Sequence, residues 1–292
     1  MDRFDVVILG AGSAGEWVAG GVADAGGSVA LVEASRVGGE CPYVACIPGK
    51  GMLRSAQVRE DARHLVELGG ASAPVALDED EPAYRAAVRR RDVLSSHRDD
   101  TDAARDIKRR GVTLIRGSGR ITGSGVVDID GRQIGYRDLV VATGSRPAVP
   151  PIKGLDMVAC WTSDQALSAR ARPVSLMVLG GGAVGCELAQ AYAGFGVTVT
   201  LVEAATQLVS GEDAAVAAEL ATALRSSNID VRLGAEIKAM EATGGGQARA
   251  LLDGGSVIEK EQVILAAGAP RRLPGWVLTP SASNRPTPAR WR

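Results

Sequence analysis

The chain has 292 residues, 46% hydrophobic and only 3% aromatic, with a formal net charge of −1. That apolar content supports one large or two modest domains whose cores rest on Ala, Val, Leu and Ile. The charge balance makes no electrostatic case for nucleic acid or an anionic membrane as partner.

Taken in chain order, residues 4–9 form a continuous apolar run that suits a strand buried on both faces. A Gly-rich turn follows, then a small-residue helix to about Ala25 and a second strand over 28–33. Residues 51–68 and 83–110 have helical character and are separated by the loop-like stretch 69–82. Within and near them, Arg89-Arg90-Arg91 and Lys108-Arg109-Arg110 are read as solvated helix faces. Residues 112–115 and 126–130 resemble short antiparallel strands between Gly-rich turns, and 138–144 is a buried-strand run closed by glycine. Pro147, Pro150 and Pro151 mark a linker. The layout then repeats: strand 175–179, turn 180–185, helix 187–195, strand 197–203, short antiparallel strands near 229–233 and 248–253, and a closing run 262–268. The prediction is an α/β chain of two Rossmann-like three-layer domains, each with a small antiparallel β-meander.

Gly10, Gly12 and Gly15 satisfy G-x-G-x-x-G, and Gly180, Gly182 and Gly185 repeat it. The first glycine permits the tight turn, the second lets a pyrophosphate approach, and the third lets helix pack on strand. The distal acids Glu33 and Glu203 share one 23-residue offset from Gly10 and Gly180 and are placed to accept hydrogen bonds from ribose hydroxyls. A carboxylate at Glu203, with no arginine following until Arg225, favours NAD(H) over NADP(H).

No run approaches the roughly 20 apolar residues of a membrane span, and the N-terminus does not read as a secretory signal. A soluble, cytoplasmic protein is therefore expected. In that compartment a close cysteine pair is catalytic or metal-binding more readily than a structural staple. Cys41 and Cys46 lie within Gly38-Gly39-Glu40-Cys41-Pro42-Tyr43-Val44-Ala45-Cys46-Ile47-Pro48-Gly49-Lys50. Cys46 is expected at a helix N-terminus, which favours the thiolate. A zinc site would need further ligands that are not clustered here, so no metal is expected. A pair of inert buried cysteines stays open. Cys160 and Cys186 are read as core residues, and His64 and His97 as surface helix residues.

These motifs together resemble the flavin-dependent pyridine nucleotide–disulfide oxidoreductases, which include dihydrolipoamide dehydrogenase, mercuric reductase and glutathione reductase. The resemblance implies an FAD-binding domain over 1–148, carrying the redox segment 38–50 and a helical excursion over 51–110, and an NAD-binding domain over 149–269. It implies FAD contacts from Gly10, Gly12, Ser13, Ala14, Gly15, Glu33, Gly39, Glu40, Lys50, Gly119, Thr143, Gly144 and Ser145. For NAD(H) it implies Gly180, Gly182, Ala183, Val184, Gly185, Glu203, Ile237 and Gly268. Cys46 would be the thiol beside the flavin, Cys41 the interchange thiol, and Lys50 would lie by the flavin nitrogen, paired with Glu187. Hydride would pass from NADH to FAD, and electrons on to a Cys41–Cys46 disulfide and a small-molecule acceptor such as a disulfide, lipoamide or quinone. Within the redox segment Glu40, Tyr43, Ala45 and Gly49 depart from the family pattern.

Past Gly268 the chain is Pro-rich and aperiodic, so 270–292 is expected to be disordered. The family's returning FAD strand and C-terminal interface domain have no counterpart here, which suggests truncation or a frameshift near residue 270. On that reading the family-type homodimer interface is missing, FAD binding is weakened and turnover is impaired. The alternative reading is a non-catalytic dinucleotide-binding fragment of such an enzyme.

Overall fold

The computed structural model describes residues 1–270; the expectation of disorder from 270 on falls, after that residue, outside the described part. The chain divides into two compact units, Met1–Gly39 with Asp100–Ser145, and Glu40–Asp99 with Arg146–Pro270.

The first unit opens with β1 (Arg3–Leu9), α1 (Ser13–Asp24) and β2 (Val29–Glu33). The chain then contributes α2 (Cys41–Val44), α3 (Cys46–Arg63), α4 (Asp80–Leu94) and a 3-10 turn (Ser96–Arg98) to the second unit. It resumes the first with α5 (Thr101–Arg109), β3 (Thr113–Arg116), β4 (Gly119–Gly123), β5 (Val126–Ile129) and β6 (Arg132–Val141). These strands make one six-stranded sheet in the order β3-β2-β1-β6-β5-β4. Alternation along β1 explains its unbroken apolar run. Val6 and Ile8 pack on the helical face with Ala19 and Ile107, while Val7 and Leu9 pack on the opposite face with Ile121, Val127 and Ile134.

The second unit continues through β7 (Cys160–Trp161), α6 (Ser163–Ser168), β8 (Ser175–Leu179), α7 (Ala183–Ala193), β9 (Thr198–Val202), α8 (Ala214–Ser226) and β10 (Asp230–Arg232). It closes with β11 (Ile237–Ala242), β12 (Ala248–Leu252), β13 (Val257–Lys260) and β14 (Gln262–Leu265). Five strands form a sheet in the order β10-β9-β8-β14-β7, and β11, β12 and β13 form a separate three-stranded sheet. Met240, Ala248, Ala250 and Leu252 of that small sheet cover Met177, Leu179, Val263 and Leu265 on one face. The other face carries Leu188, Ala189 and Tyr192 of α7, with Tyr84 and Val88 of α4 in the same core. Tyr84 meets the Phe195 ring edge-on at 5.5 Å, so two of the few aromatics dock α4 here.

Several expectations are corrected. The strands near 112–115 and 229–233 are not antiparallel: β3 runs parallel to β2, and β10 parallel to β9. Each follows a helix, α5 or α8, that carries the chain back along the sheet, and such a crossover returns the strand parallel. Apolar periodicity marks a strand but carries no direction. In the first unit the meander is not a separate layer, because β6 pairs parallel with β1 and antiparallel with β5, fusing the two sheets.

The expected helix over 83–110 is interrupted at Ser96–Arg98, where three successive residues have φ of 49°, 52° and 62°. Left-handed residues cost about 1–2 kcal/mol each, so neighbours must hold this turn. Ser95 Oγ donates to the Arg91 carbonyl at 2.9 Å. The Arg98 guanidinium donates to Asp92 Oδ1 at 3.0 Å and to the Leu167 carbonyl at 2.8 Å. Arg91 is also a correction: Arg89 and Arg90 are exposed, but Arg91 is only 1% exposed. It lies one helical turn beyond the buried Ala87 and Val88, and it survives burial by pairing with Asp92 at 2.7 Å and capping the Ala169 carbonyl at 2.8 Å.

Candidate functional site

The two glycine turns have the same geometry. Gly10 has φ of +102° and Gly180 of +111°, and a Cβ at either would lie 2.3 or 2.4 Å from the carbonyl oxygen of Ala142 or Ala266. A Cβ at Gly15 or Gly185 would sit 1.8 or 1.9 Å from the oxygen of the first glycine. These four glycines are required by packing. The middle glycines differ. A Cβ on Gly182 would meet nothing within 4 Å, and one on Gly12 only the Gly39 Cα at 3.8 Å. Gly12 and Gly182 are the N-caps of α1 and α7, with no side-chain cap hydrogen bond. The helix-start N–H groups therefore face an open approach, and a pyrophosphate fits a cradle of this kind. Ser13 and Ala14 begin α1, as Ala183 and Val184 begin α7.

Glu33 and Glu203 occupy equivalent places and make equivalent bonds. Glu33 accepts from Ala11 N at 2.7 Å and Ser35 N at 2.6 Å. Glu203 accepts from Gly181 N at 2.6 Å and Ala205 N at 2.7 Å. Each carboxylate thus ties its glycine turn to the end of the following strand.

Of the other residues expected around FAD, Gly39, Gly119, Thr143, Gly144 and Ser145 belong to the first unit with the Gly10–Gly15 turn. Gly38 N donates to the Ala11 carbonyl at 2.8 Å, and a Cβ on Gly39 would come within 2.8 Å of Gly12 Cα, so the doublet lies flat on the turn. Gly119 opens β4 against Leu9, whose Cδ2 would be 2.6 Å from an added Cβ. Glu40 and Lys50 fall in the second unit. Ile237 opens β11 there, and the Gly268 carbonyl accepts from Ala148 N at 2.8 Å.

Cys41 is the first residue of α2 and Cys46 the first of α3, with Ala45 capping both helices. Both are free thiols, Cys41 half-buried and Cys46 exposed. A hydrogen bond with Cys46, and then burial, push the Cys41 thiol above its ordinary value. Helix α3 starts at Cys46, as expected, with Pro48 in its first turn, where no helical N–H partner is needed. Lys50 sits one turn beyond Cys46 and forms an ion pair with Glu187 of α7. Cys186 is core, as expected, and burial pushes its thiol up to about 11. Sequence reasoning missed Arg91 and Arg98, which lie behind this segment; only their spacing to Ala87 and Val88, or an intervening Asp92, hinted at them.

Among the described residues no helix is long and apolar enough to cross a membrane. A family model for pyridine nucleotide-disulphide oxidoreductases matches residues 4–273. The chain is 29% identical to a glutathione reductase of Burkholderia cepacia, over 93% of this chain and 58% of that protein. It is 32% identical to a dihydrolipoyl dehydrogenase of Bacillus subtilis, over 80% and 51% respectively, and 28% identical to a mercuric reductase of Staphylococcus aureus, over 91% and 48%. The structure of the HOCl-induced flavoprotein disulfide reductase RclA from Escherichia coli superposes with a TM-score of 0.74 at 26% identity, covering 91% of this chain and 57% of that one. The chain spans about half the length of these relatives. The matched family model covers both glycine turns, the thiol pair and the Lys50–Glu187 ion pair, and the chain belongs to the pyridine nucleotide-disulphide oxidoreductase family.

Proposed function

We propose that this chain is a flavin-dependent oxidoreductase that draws electrons from NADH and delivers them through Cys41 and Cys46 to a small-molecule acceptor of the disulfide, lipoamide or quinone type. One observation carries the reading: two neighbouring free thiols open consecutive helices, with a Lys50–Glu187 ion pair one turn further along α3. Segment 1–148 is assigned to FAD and 149–269 to NAD(H). When bound, FAD would accept hydride from NADH and supply two electrons to the thiol pair.

The remaining chemistry belongs to the chain. Cys46 and Lys50 are four apart on α3 and so share one side of that helix, which supports Cys46 as the flavin-side thiol and Cys41 as the interchange thiol. With a disulfide acceptor, Cys41 loses its proton and its sulfur attacks one acceptor sulfur, expelling the first thiolate. Cys46 sulfur then attacks Cys41 sulfur in the mixed disulfide and expels the second. The two protons released match the two thiolates formed, and the Cys41–Cys46 disulfide returns for another electron pair. The Glu203 carboxylate favours a free 2′-hydroxyl over a 2′-phosphate, and Arg225, the first arginine after it, is engaged with the Val231 carbonyl at 3.3 Å, which supports NADH over NADPH.

The test is a spectrum of the purified chain. Bound flavin absorbance, with a long-wavelength charge-transfer band on anaerobic NADH addition, is expected. A colourless protein that FAD cannot reconstitute overturns the reading in favour of dinucleotide binding without turnover.

A further inference from the structure

Cys46 stands on an eighteen-residue helix packed against both α4 and α7, so its place is secure. Cys41 stands on α2, a helix of four residues with only Tyr43 and Val44 buried. So short a helix has no stability of its own, and its position is set by what it rests on: the left-handed turn Ser96–Arg98, α6 and α3. The first two supports are joined by one side chain. Arg98 belongs to the turn, donates to Asp92 of α4, and reaches the Leu167 carbonyl in the last turn of α6. Arg91 adds a second bond, to the Ala169 carbonyl at the α6 C-cap. Backbone strain of this kind persists only where surroundings over-determine it, and it gathers at functional sites.

We infer that Arg98 is a positioning residue for the redox pair: by locking the turn to α6 it fixes the two surfaces under α2, and so holds Cys41 within reach of Cys46. Arg98 touches neither thiol. Its role is to keep their effective concentration high. The inference rests on the proposed dithiol function but concerns the geometry of the pair, not flavin chemistry.

The test uses the full chain, reduced and then equilibrated with mixtures of oxidised and reduced glutathione, with the Cys41–Cys46 disulfide quantified by mass spectrometry of the linked peptides. Formation of the disulfide releases two reduced glutathione molecules per oxidised glutathione consumed, so the equilibrium constant reports the effective concentration of the pair. Arg98→Ala is expected to lower that constant at least tenfold. Arg98→Lys, which keeps a charge beside Asp92 but reaches only one of the two acceptors, should fall between the two and serves as the readout if the alanine variant does not fold. Asp213→Ala removes the α8 cap bond to Ala215 N; it loosens the same unit away from α2 and should leave the constant unchanged. An unchanged constant in both Arg98 variants, or an equal drop in Asp213→Ala, overturns the inference. Failure of the parent chain to form the disulfide at all would instead sink the dithiol reading, and the inference with it.

Discussion

The two glycine classes of the Gly180–Gly185 turn make a sharp prediction, because the structure gives them different duties. At Gly185 an added Cβ would lie 1.9 Å from the Gly180 carbonyl oxygen, so α7 must retreat from the turn by more than 1 Å. Alanine gains about 1 kcal/mol over glycine inside a helix, but overpacking against backbone costs about 1–3 kcal/mol, occasionally more. With so short an approach we expect Gly185→Ala to lose about 3 kcal/mol net, a fall of roughly 6–12 °C in Tm for a domain of this size. At Gly182 the added Cβ meets nothing within 4 Å, and φ is −74°, which alanine adopts freely. The chain-entropy gain of alanine, about 0.4–1 kcal/mol, roughly offsets its weakness as an N-cap. Gly182→Ala should therefore stay within about 0.5 kcal/mol of the parent in stability. Its methyl group enters the space a pyrophosphate would use, and NADH affinity should fall at least tenfold, equivalent to about 1.4 kcal/mol. Thermal unfolding and NADH titration by fluorescence read both quantities. If Gly182→Ala binds NADH as the parent does, or loses as much stability as Gly185→Ala, the separation of duties is wrong.

Three further outcomes follow from named contacts. Glu203→Gln keeps one acceptor oxygen but sets an amide NH2 against a backbone N–H, so it should lower stability by about 1–2 kcal/mol even without nucleotide, read from the urea midpoint. Burial alone would raise the Asp92 carboxyl, but hydrogen bonds and charge from Arg91 and Arg98 bring it below its ordinary value. Its stabilisation is therefore complete above the unfolded value of about 4 and lost as pH falls through the folded one. Asp92→Asn should cost about 3 kcal/mol at neutral pH, and its gap to the parent should narrow below about pH 4; a gap constant down to pH 3 contradicts the assignment. Gly49→Ala should stabilise the chain by about 1 kcal/mol, because Gly49 lies inside α3 and an added Cβ finds Leu167 Cδ1 at 3.6 Å, an ordinary contact; a loss of Tm would contradict it.

What the chain order revealed, and what it hid, follows from the range of the interactions. The βαβ units were legible because their signals are local: an apolar run for a doubly buried strand, glycines where φ is positive or backbone closes on backbone, an acid at one offset. The direction of β3 and β10 was not, since it depends on a crossover rather than on the strand's own residues. The turn at Ser96–Arg98 contains no glycine to announce three left-handed residues; one support, Asp92, lies in the preceding helix, but the other, the Leu167 carbonyl, is 69 residues away in the chain. Arg91 was hidden inside a run of arginines whose other members are exposed, because a charge run reads as a solvated face unless the helix phase is followed residue by residue.

The paired acids alter what the fingerprint means. Read from spacing alone, Glu33 and Glu203 count as nucleotide ligands, and their shared offset looks like evidence for a ribose. The structure gives each of them another duty first: one oxygen on the N–H that follows the first glycine, the other on an N–H two residues beyond the acid itself. A carboxylate so placed would hold the turn to the sheet in any βαβ unit of this shape, with or without a ligand. The first and third glycines are in the same position, since their missing side chains are demanded by Ala142, Ala266 and the turn's own carbonyls. Only Gly12 and Gly182 lack a strong internal reason to be glycine, because their missing side chains leave room that the protein does not fill. Those two residues, and the uncapped helix N-termini they open, therefore point to a dinucleotide more than the pattern as a whole does.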